Sequence, residues 1–308
     1  MQIQSLSIVV PSKRCINKCP FCVSRMVNSN TYPNLMDINH PHYDINVREY
    51  LKRLRFVADN GCQTLMLTGT SEPQQNKQFL ATFALLHQQI GSPFTNIEMQ
   101  TTGMGLDNHR DYLRFLRNFV GVNTVALSVN AMEDLENCRI LGHTPIVEQA
   151  VSQQSITEIH PRLRLSRLCD VLKEYGFNIR VCINLSDAFN NQTGDSICAF
   201  ASSVLHADQL TFRRLYYAVG DDTSQAKWIA EHKPSGSLLN SIELCLGTSP
   251  IIGETVYGAN CYDVNGMSVI YDQDCMGKNP EAGVKKFLIL RPNCHLYSQW
   301  DTPTSIVF

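Results

Sequence analysis

An α/β fold built on a parallel sheet is predicted by the rhythm of the chain up to about residue 218. Three observations carry that expectation. Short runs rich in β-branched and bulky apolar residues recur six times, at residues 5–10, 64–68, 96–101, 124–129, 179–185 and 209–215. Longer amphipathic stretches separate them. After Gly220 the alternation stops and hairpin signals take over. Strands alternating with helices of this length form βα units, and six such units make either a doubly wound sheet or an open barrel.

The helix candidates follow from apolar spacing. In residues 47–60, Tyr50, Leu51, Leu54, Val57 and Ala58 recur at helical intervals, and Asn60-Gly61 gives a stop. Residues 76–89 put Phe79, Leu80, Phe83 and Leu86 on one side. Residues 107–119, 163–175 and 195–205 behave similarly. Two regions depart from the pattern. Residues 138–161, with Gly142, Pro145 and Pro161, read as a long insertion after the fourth strand. The last 88 residues read as an irregular segment, a weak helix at 236–246 and two hairpins. One hairpin covers residues 261–271 and turns at Asn265-Gly266; the other covers 286–300 and turns at Pro292-Asn293.

Composition narrows the function classes. With 308 residues the chain can bury a core without disulfides. Its 26 basic and 28 acidic residues leave a net charge of −2, so no general attraction for nucleic acid or an anionic membrane is expected. No run of about 18 apolar residues occurs, and residues 1–10 lack the basic flank and apolar centre of a signal peptide. A cytoplasmic protein is the expectation. Twelve cysteines in a reducing compartment point toward metal ligation or catalysis more than disulfides.

Three of those cysteines fall within eight positions, in Cys15-Ile16-Asn17-Lys18-Cys19-Pro20-Phe21-Cys22. This C-x3-C-x2-C loop follows the first strand directly, at the edge of a parallel sheet where ligands bind. Structural zinc and ferredoxin-type clusters are closed by four protein ligands. A [4Fe–4S] cluster held by three thiolates leaves one iron open to a substrate or cofactor. The alternative is a zinc site completed by His40 or His42, in a structural or regulatory protein.

The triplet, with Phe21 before its last cysteine, resembles the signature of the radical S-adenosylmethionine (radical SAM) superfamily. That resemblance covers roughly residues 5–215. It implies an open parallel (β/α)6 partial TIM barrel at residues 1–218, with a β-rich C-terminal extension at 219–308. It also implies that Cys15, Cys19 and Cys22 ligate a [4Fe–4S] cluster whose open iron chelates S-adenosylmethionine. Reductive cleavage would then give methionine and a 5′-deoxyadenosyl radical. The backbone of Phe21 would lie near the adenine, and an electron donor such as a flavodoxin or ferredoxin is implied.

Supporting motifs lie at the strand ends. Leu67-Thr68-Gly69-Thr70-Ser71-Glu72-Pro73 resembles the Gly-Gly-Glu-Pro element that holds the amino group of S-adenosylmethionine, with Ser71 where the family has glycine. Serine admits fewer backbone angles. An ordinary turn before a helix, with Glu72 favouring the positive helix start, is the plainer alternative. Gln100 and Thr102 end the third strand, and Ser128 and Asn130 end the fourth, where the family places contacts to the carboxylate or ribose; Asn130 as a helix cap is the alternative. Asn184 and Arg213 end the fifth and sixth strands, for S-adenosylmethionine or substrate, against a reading as solvated strand ends.

Cys245, Cys261, Cys275 and Cys294 do not reproduce the tight pairs of the auxiliary-cluster extension that some relatives carry. Buried inert thiols are the expected reading for them. His143, beside Gly142, is expected at the mouth of the site or simply exposed. The absence of a large recognition domain favours a small-molecule, nucleotide or short-peptide substrate.

Overall fold

The structure, a computed structural model, describes residues 1–11, 15–26, 45–69, 71–143, 164–217, 221–255, 258–272, 283–300, 302 and 304–308. The six expected strands are β1 (Gln2–Val9), β2 (Thr64–Thr68), β3 (Asn96–Thr101), β4 (Thr124–Val129), β5 (Asn178–Leu185) and β6 (Gln209–Arg214). The C-terminal segment adds β7 (Ile251–Glu254), β8 (Asn260–Val264), β9 (Met267–Asp272), β10 (Val284–Leu290) and β11 (Leu296–Tyr297). Helices among the described residues are α1 (Val47–Asp59), α2 (Lys77–Gln89), α3 (Arg110–Arg114), α4 (Asp134–Ile140), α5 (Leu165–Glu174), α6 (Gly194–Ala199), α7 (Ser224–Glu231) and α8 (Gly236–Gly247).

All strands join one sheet in the order β11-β10-β1-β2-β3-β4-β5-β6-β9-β8-β7. The run from β10 through β1–β6 to β9 is parallel throughout, and β11, β8 and β7 are antiparallel additions at its edges. The sheet does not close on itself, as an open partial barrel requires. Strands from beyond residue 218 therefore extend the sheet at both sides: β9 pairs with β6 and β10 with β1. The β8–β9 hairpin turns at Asn265 and Gly266, both at positive φ (54° and 83°), as the sequence predicts.

Alternation along the strands separates two faces. Leu65, Leu67, Ile97, Met99, Val125, Leu127, Ile179, Val181 and Phe212 are fully or almost fully buried in one cluster with Leu54 and Val57 of α1, Leu80 and Phe83 of α2, and Leu168 of α5. The other face carries Met66, Glu98, Gln100, Ser128, Arg180, Cys182, Thr211 and Arg213, brought side by side by the strand register. On this face an ion pair joins Glu98 Oε2 to Arg180 Nη1 at 2.6 Å, and Arg180 Nε donates to Gln209 Oε1 at 2.8 Å. The helix-covered face is oily and the opposite face is polar.

Three elements differ from the sequence expectation. Residues 106–120 are not one helix: a 3-10 turn (Leu106–Asn108) leads into the short α3 and then a π-helical turn (Phe115–Val120). Leu113, Leu116 and Val120 stay buried through this change of helix type. The helix α4 starts ahead of the stretch read as insertion, its first turn carrying Asp134 and Glu136, and only its end, residues 138–140, lies within that stretch. The helix α7 lies in the segment read as irregular; Thr223 caps it by accepting from Ala226 N, and only Ala226 and Ile229 are buried, too few to signal a period. Residues 144–163 lie outside the described residues. Among the described residues, no helix is long and apolar enough to cross a membrane.

Asn76 links sheet to helix. Its Oδ1 accepts from Phe79 N at 2.9 Å as the cap of α2, while its Nδ2 donates to Pro11 O at 2.6 Å beyond β1. Asn76→Ala removes both bonds and should lower the unfolding free energy by about 1–2 kcal/mol, read as a lower denaturant midpoint at unchanged slope. A second expectation concerns pH. Burial pushes the thiols of Cys62 and Cys169 up to about 12, from an ordinary 9.0. A group whose folded value is raised stabilises the fold below its unfolded value and loses that contribution as pH climbs toward the folded one. The melting temperature should therefore fall between about pH 9 and pH 12, and Cys169→Ala, though less stable at pH 7, should show a shallower fall.

A thiol loop clamped at the carboxyl edge of the sheet

The cysteine loop leaves β1 at the carboxyl edge of the parallel strands, as its place in the sequence predicts. Cys15, Cys19 and Cys22 are all half-buried, and Cys19 packs against the main apolar cluster. Cys22 N donates to Cys19 O at 3.3 Å, and Cys22 Sγ lies 2.9 Å from Ser24 Oγ. Burial, then Cys22, Glu72 and Cys15, push the Cys19 thiol up to about 12. Burial is also the largest cause holding the Cys15 thiol above its ordinary range, with Glu72 and Cys22 adding to it and the Asn17 N–H opposing.

Glu72 is the anion under this loop. It is 6% exposed. Its Oε1 accepts from Asn17 Nδ2 at 2.7 Å, and its Oε2 from Gln74 Nε2 at 2.9 Å and from the Thr101 hydroxyl. The Thr102 N–H lies 3.2 and 3.1 Å from the two oxygens. Thr102 Oγ1 in turn accepts from Asn17 Nδ2 at 3.0 Å. One carboxylate therefore ties the cysteine loop, the turn after β2 and the end of β3 together.

The other expected residues take their places along the same edge. Gly69 ends β2 so close to β1 that a Cβ would stand 2.8 Å from Val10 O, which explains a glycine there. Ser71 is half-buried, and its Oγ is enclosed without a hydrogen-bond partner. Thr70 lies outside the described residues. Gln100 Nε2 reaches Glu98 Oε1 at 3.4 Å and Met66 Sδ at 3.6 Å. Ser128 is half-buried at the end of β4. Asn130 is held by Asn137 Oδ1, 2.8 Å from its N–H, and its own Oδ1 accepts from Asn184 Nδ2 at 2.9 Å. Arg213 stands opposite Asn184 and Asp272 in the register, with Nη2 4.0 Å from Cys182 Sγ. The ring of Phe21 packs on Trp228 of α7, centroids 5.5 Å apart.

Several contacts were not legible in the spacing. Asn17, between two of the cysteines, is 1% exposed and lies at the centre of the network. His143, expected at the mouth or exposed, is instead buried at 8% exposure, its Nε2 2.8 Å from Asn17 Oδ1. The segment after α4 reaches back over the loop to do this: Lys18 N donates to Leu141 O at 2.8 Å, and a Cβ on Gly142 would stand 2.6 Å from Lys18 Cβ. Beside the loop opens a cleft of about 530 Å³, lined in part by Lys18, Pro20, Arg139, Asp187, Trp228 and His232.

The donor set suits an iron–sulfur group. Three soft thiols on one loop, with protons held tightly at Cys19 by burial and by neighbouring anionic groups, become stable thiolates only when a cationic metal centre replaces those protons. Among the described residues no three His, Cys, Asp or Glu side chains are gathered as ligands of a single ion. A multi-iron cluster asks for less convergence, because each thiolate reaches its own iron. His40 and His42, the candidate fourth zinc ligands, lie outside the described residues. Elsewhere, Cys294 Sγ donates to Asn46 O at 3.5 Å, Cys261 Sγ lies 2.9 Å from Ser268 Oγ, and Cys245 is buried. Cys275 is outside the described residues.

Comparison with known proteins bears on the fold and the family. No curated protein sequence matches the chain. Among solved structures, Streptococcus suis SuiB bound to S-adenosylmethionine is similar at a TM-score of 0.54 and 13% identity, over 97% of this chain and 60% of that one. Coproporphyrinogen III oxidase (HemN) from Escherichia coli, described as a radical SAM enzyme, gives 0.45 and 16%, over 80% and 52%. A radical SAM methyltransferase from Sphaerobacter thermophilus gives 0.47 and 16%, over 77% and 61%. At these identities the likeness is one of fold, and this chain spans between 45% and 61% of the length of such structures. The family model for the radical SAM superfamily matches residues 9–201, from the end of β1 into the π-helical turn after α6. The chain belongs to the radical SAM superfamily of enzymes, a membership that implies S-adenosylmethionine and an iron–sulfur cluster as its cofactors.

Proposed function

We infer that this chain carries a [4Fe–4S] cluster on Cys15, Cys19 and Cys22 and uses it with S-adenosylmethionine to abstract hydrogen from a small-molecule, nucleotide or short-peptide substrate. The observation that carries this reading is the placement of three half-buried thiols on one short loop at the carboxyl edge of an open parallel sheet. When bound, the cluster supplies an electron that splits S-adenosylmethionine into methionine and a 5′-deoxyadenosyl radical.

The chain's own residues bind, orient and shield. The turn from Gly69 through Thr70 and Ser71 to Glu72 would receive the amino group. Gln100, Thr102, Ser128 and Asn130 line the ends of β3 and β4, suited to the carboxylate and ribose. The bond from Asn184 to Asn130 fixes the β4 and β5 amides relative to each other, so neither needs to reorient when a ligand arrives. Arg213, a planar donor fork, suits a carboxylate or phosphate of S-adenosylmethionine or substrate. The backbone of Phe21, whose ring packs on Trp228, would lie near the adenine. In this reading residues 1–218 form the core and 219–308 an extension whose α7 shields the cluster side from water, which a reactive radical requires.

The cleft beside the loop, at about 530 Å³, is of the size that small-molecule and short-peptide sites have. A polar face of charged and amide side chains inside the sheet would favour a substrate with hydrogen-bonding groups of its own. The electron would come from a flavodoxin or ferredoxin, in a cytoplasmic setting where thiols stay reduced.

Anaerobic reconstitution with iron and sulfide tests this reading. A brown protein with absorption near about 400 nm that converts S-adenosylmethionine to 5′-deoxyadenosine after reduction is the expected result. Cys19→Ala should lose the iron and the cleavage while the circular dichroism of the fold is kept. A colourless protein holding one tight zinc, or unchanged iron in Cys19→Ala, would overturn it. Incubation in a deuterated cell extract should then place deuterium in 5′-deoxyadenosine and identify the metabolite that supplied it.

A further inference from the structure

The three cysteines are candidate ligands by their spacing; what holds the chain between the first two is a separate matter. Asn17 sits two residues from Cys15 and two from Cys19, and its side chain is committed on every side. Its two N–H bonds go to Glu72 Oε1 and Thr102 Oγ1, at 2.7 and 3.0 Å, so its Oδ1 faces His143 and accepts from Nε2 at 2.8 Å. Acceptors on one side and a ring nitrogen on the other fix which way the amide points. The backbone of the same residue is held as well. Its carbonyl accepts from Arg25 Nη2 at 3.1 Å, and its N–H points at Cys15 Sγ from 3.4 Å. Lys18, the next residue, is pinned by Leu141 O and by the close approach of Gly142. The loop between two ligands is thereby gripped by segments following β2, β3 and α4.

We propose that Asn17, locked by His143, Thr102 and Glu72, is the positioning residue of the thiol loop. It sets the Cys15–Cys19 spacing for the iron–sulfur group and, through its backbone N–H directed at Cys15 sulfur, sets that group's reduction potential. This rests on the reading of the loop as an iron–sulfur site. Two general facts support the step. Outer partners that orient metal ligands are worth about 10- to 100-fold in metal affinity, and hydrogen bonds to ligand sulfurs are among the factors that set cluster potentials. A brace that served only folding would need none of this: it would have no reason to end on a ligand sulfur.

The test uses the full chain after anaerobic reconstitution, in wild type, Asn17→Ala, His143→Ala and His143→Gln. Four quantities are measured: iron per chain at limiting iron, the midpoint potential by an EPR-monitored titration, the unfolding midpoint of the iron-free protein, and 5′-deoxyadenosine formation. Asn17→Ala and His143→Ala are expected to need about 10- to 100-fold more iron for half-loading and to show a potential displaced from wild type. His143→Gln, which keeps a donor toward Asn17 Oδ1, should recover most of both. Should Asn17→Ala fail to fold, the two His143 variants carry the comparison. Lower fold stability with unchanged iron loading and unchanged potential would make Asn17 a structural brace and overturn the proposal. A wild type that takes up no iron would sink both this proposal and the reading beneath it. A wild type that binds iron but leaves S-adenosylmethionine intact would sink the radical reading alone, since loading and potential still decide the role of Asn17.

Discussion

The carboxylate of Glu72 is where the construction of the site begins. Strand ends in a parallel sheet are separate loops with no ladder to hold them, so something must tie them laterally. Here a single buried anion accepts from a side chain on the β1 loop, a side chain after β2, and a hydroxyl and an N–H at the end of β3. A carboxylate offers about four lone-pair sites, and these donors occupy them. Hydrogen bonds to a charged group are the stronger kind, and burial makes leaving any one of them unmade expensive. The cysteine loop inherits its position from that network through Asn17. The same saturation bears on the ligand: an ammonium group arriving at Glu72 would have to share or displace an existing donor. Gln74, whose side chain comes from an adjacent turn and whose Oε1 is enclosed without a partner, is the donor with least else to hold it.

The two faces of the sheet explain how such a polar edge is tolerated. Helices α1, α2 and α5 cover one face with aliphatic side chains, burying each fully or nearly so. At roughly 1.5–3 kcal/mol per fully buried large side chain, that layer holds the strands in register regardless of what the other face carries. The opposite face is then free to bear Glu98, Gln100, Arg180 and Arg213, groups that would be costly in a closed aliphatic core. Glu98 and Arg180 answer that cost locally by pairing across β3 and β5, with Gln209 completing the row. Division of labour between faces is what lets an α/β sheet be both a stable core and a polar cavity wall.

Much of this was legible because it is local. A C-x3-C-x2-C spacing is a property of eight consecutive residues, and alternation along β3 and β4 already put Glu98 with Gln100 and Ser128 with Asn130 on one face. The six parallel strands were legible for the same reason. What escaped was long in sequence or weak in period. The Asn17–His143 bond spans 126 residues, and nothing in the neighbourhood of either residue announces it. His143 reads as an exposed loop histidine until the segment after α4 is seen folding back over Lys18. The helix α7 buries too few side chains to show an apolar stripe, yet it delivers Trp228 to Phe21. Likewise, hairpin signals after residue 220 marked β8–β9, but pairing of β10 with β1 depends on contacts some 280 residues apart.

That last pairing changes what the C-terminal segment is for. An extension that merely packed on a finished barrel would leave β1 and β6 as sheet edges, with unpaired N–H and C=O groups next to the site. Instead β10 takes the edge of β1, and Ser5 Oγ adds a bond to Lys286 O at 2.8 Å. Meanwhile β9 takes the edge of β6, with Asp272 opposite Arg213 in the backbone register. The strand that launches the cysteine loop is therefore an interior strand, paired on both sides from Ser5 to Ile8, toward the end that leads into the loop. A loop leaving an interior strand inherits the rigidity of that strand, whereas one leaving an edge strand inherits its fraying. Placing thiols to within the tolerance of a metal centre calls for the former, so the distant C-terminal strand belongs, in physical terms, to the support of the N-terminal loop.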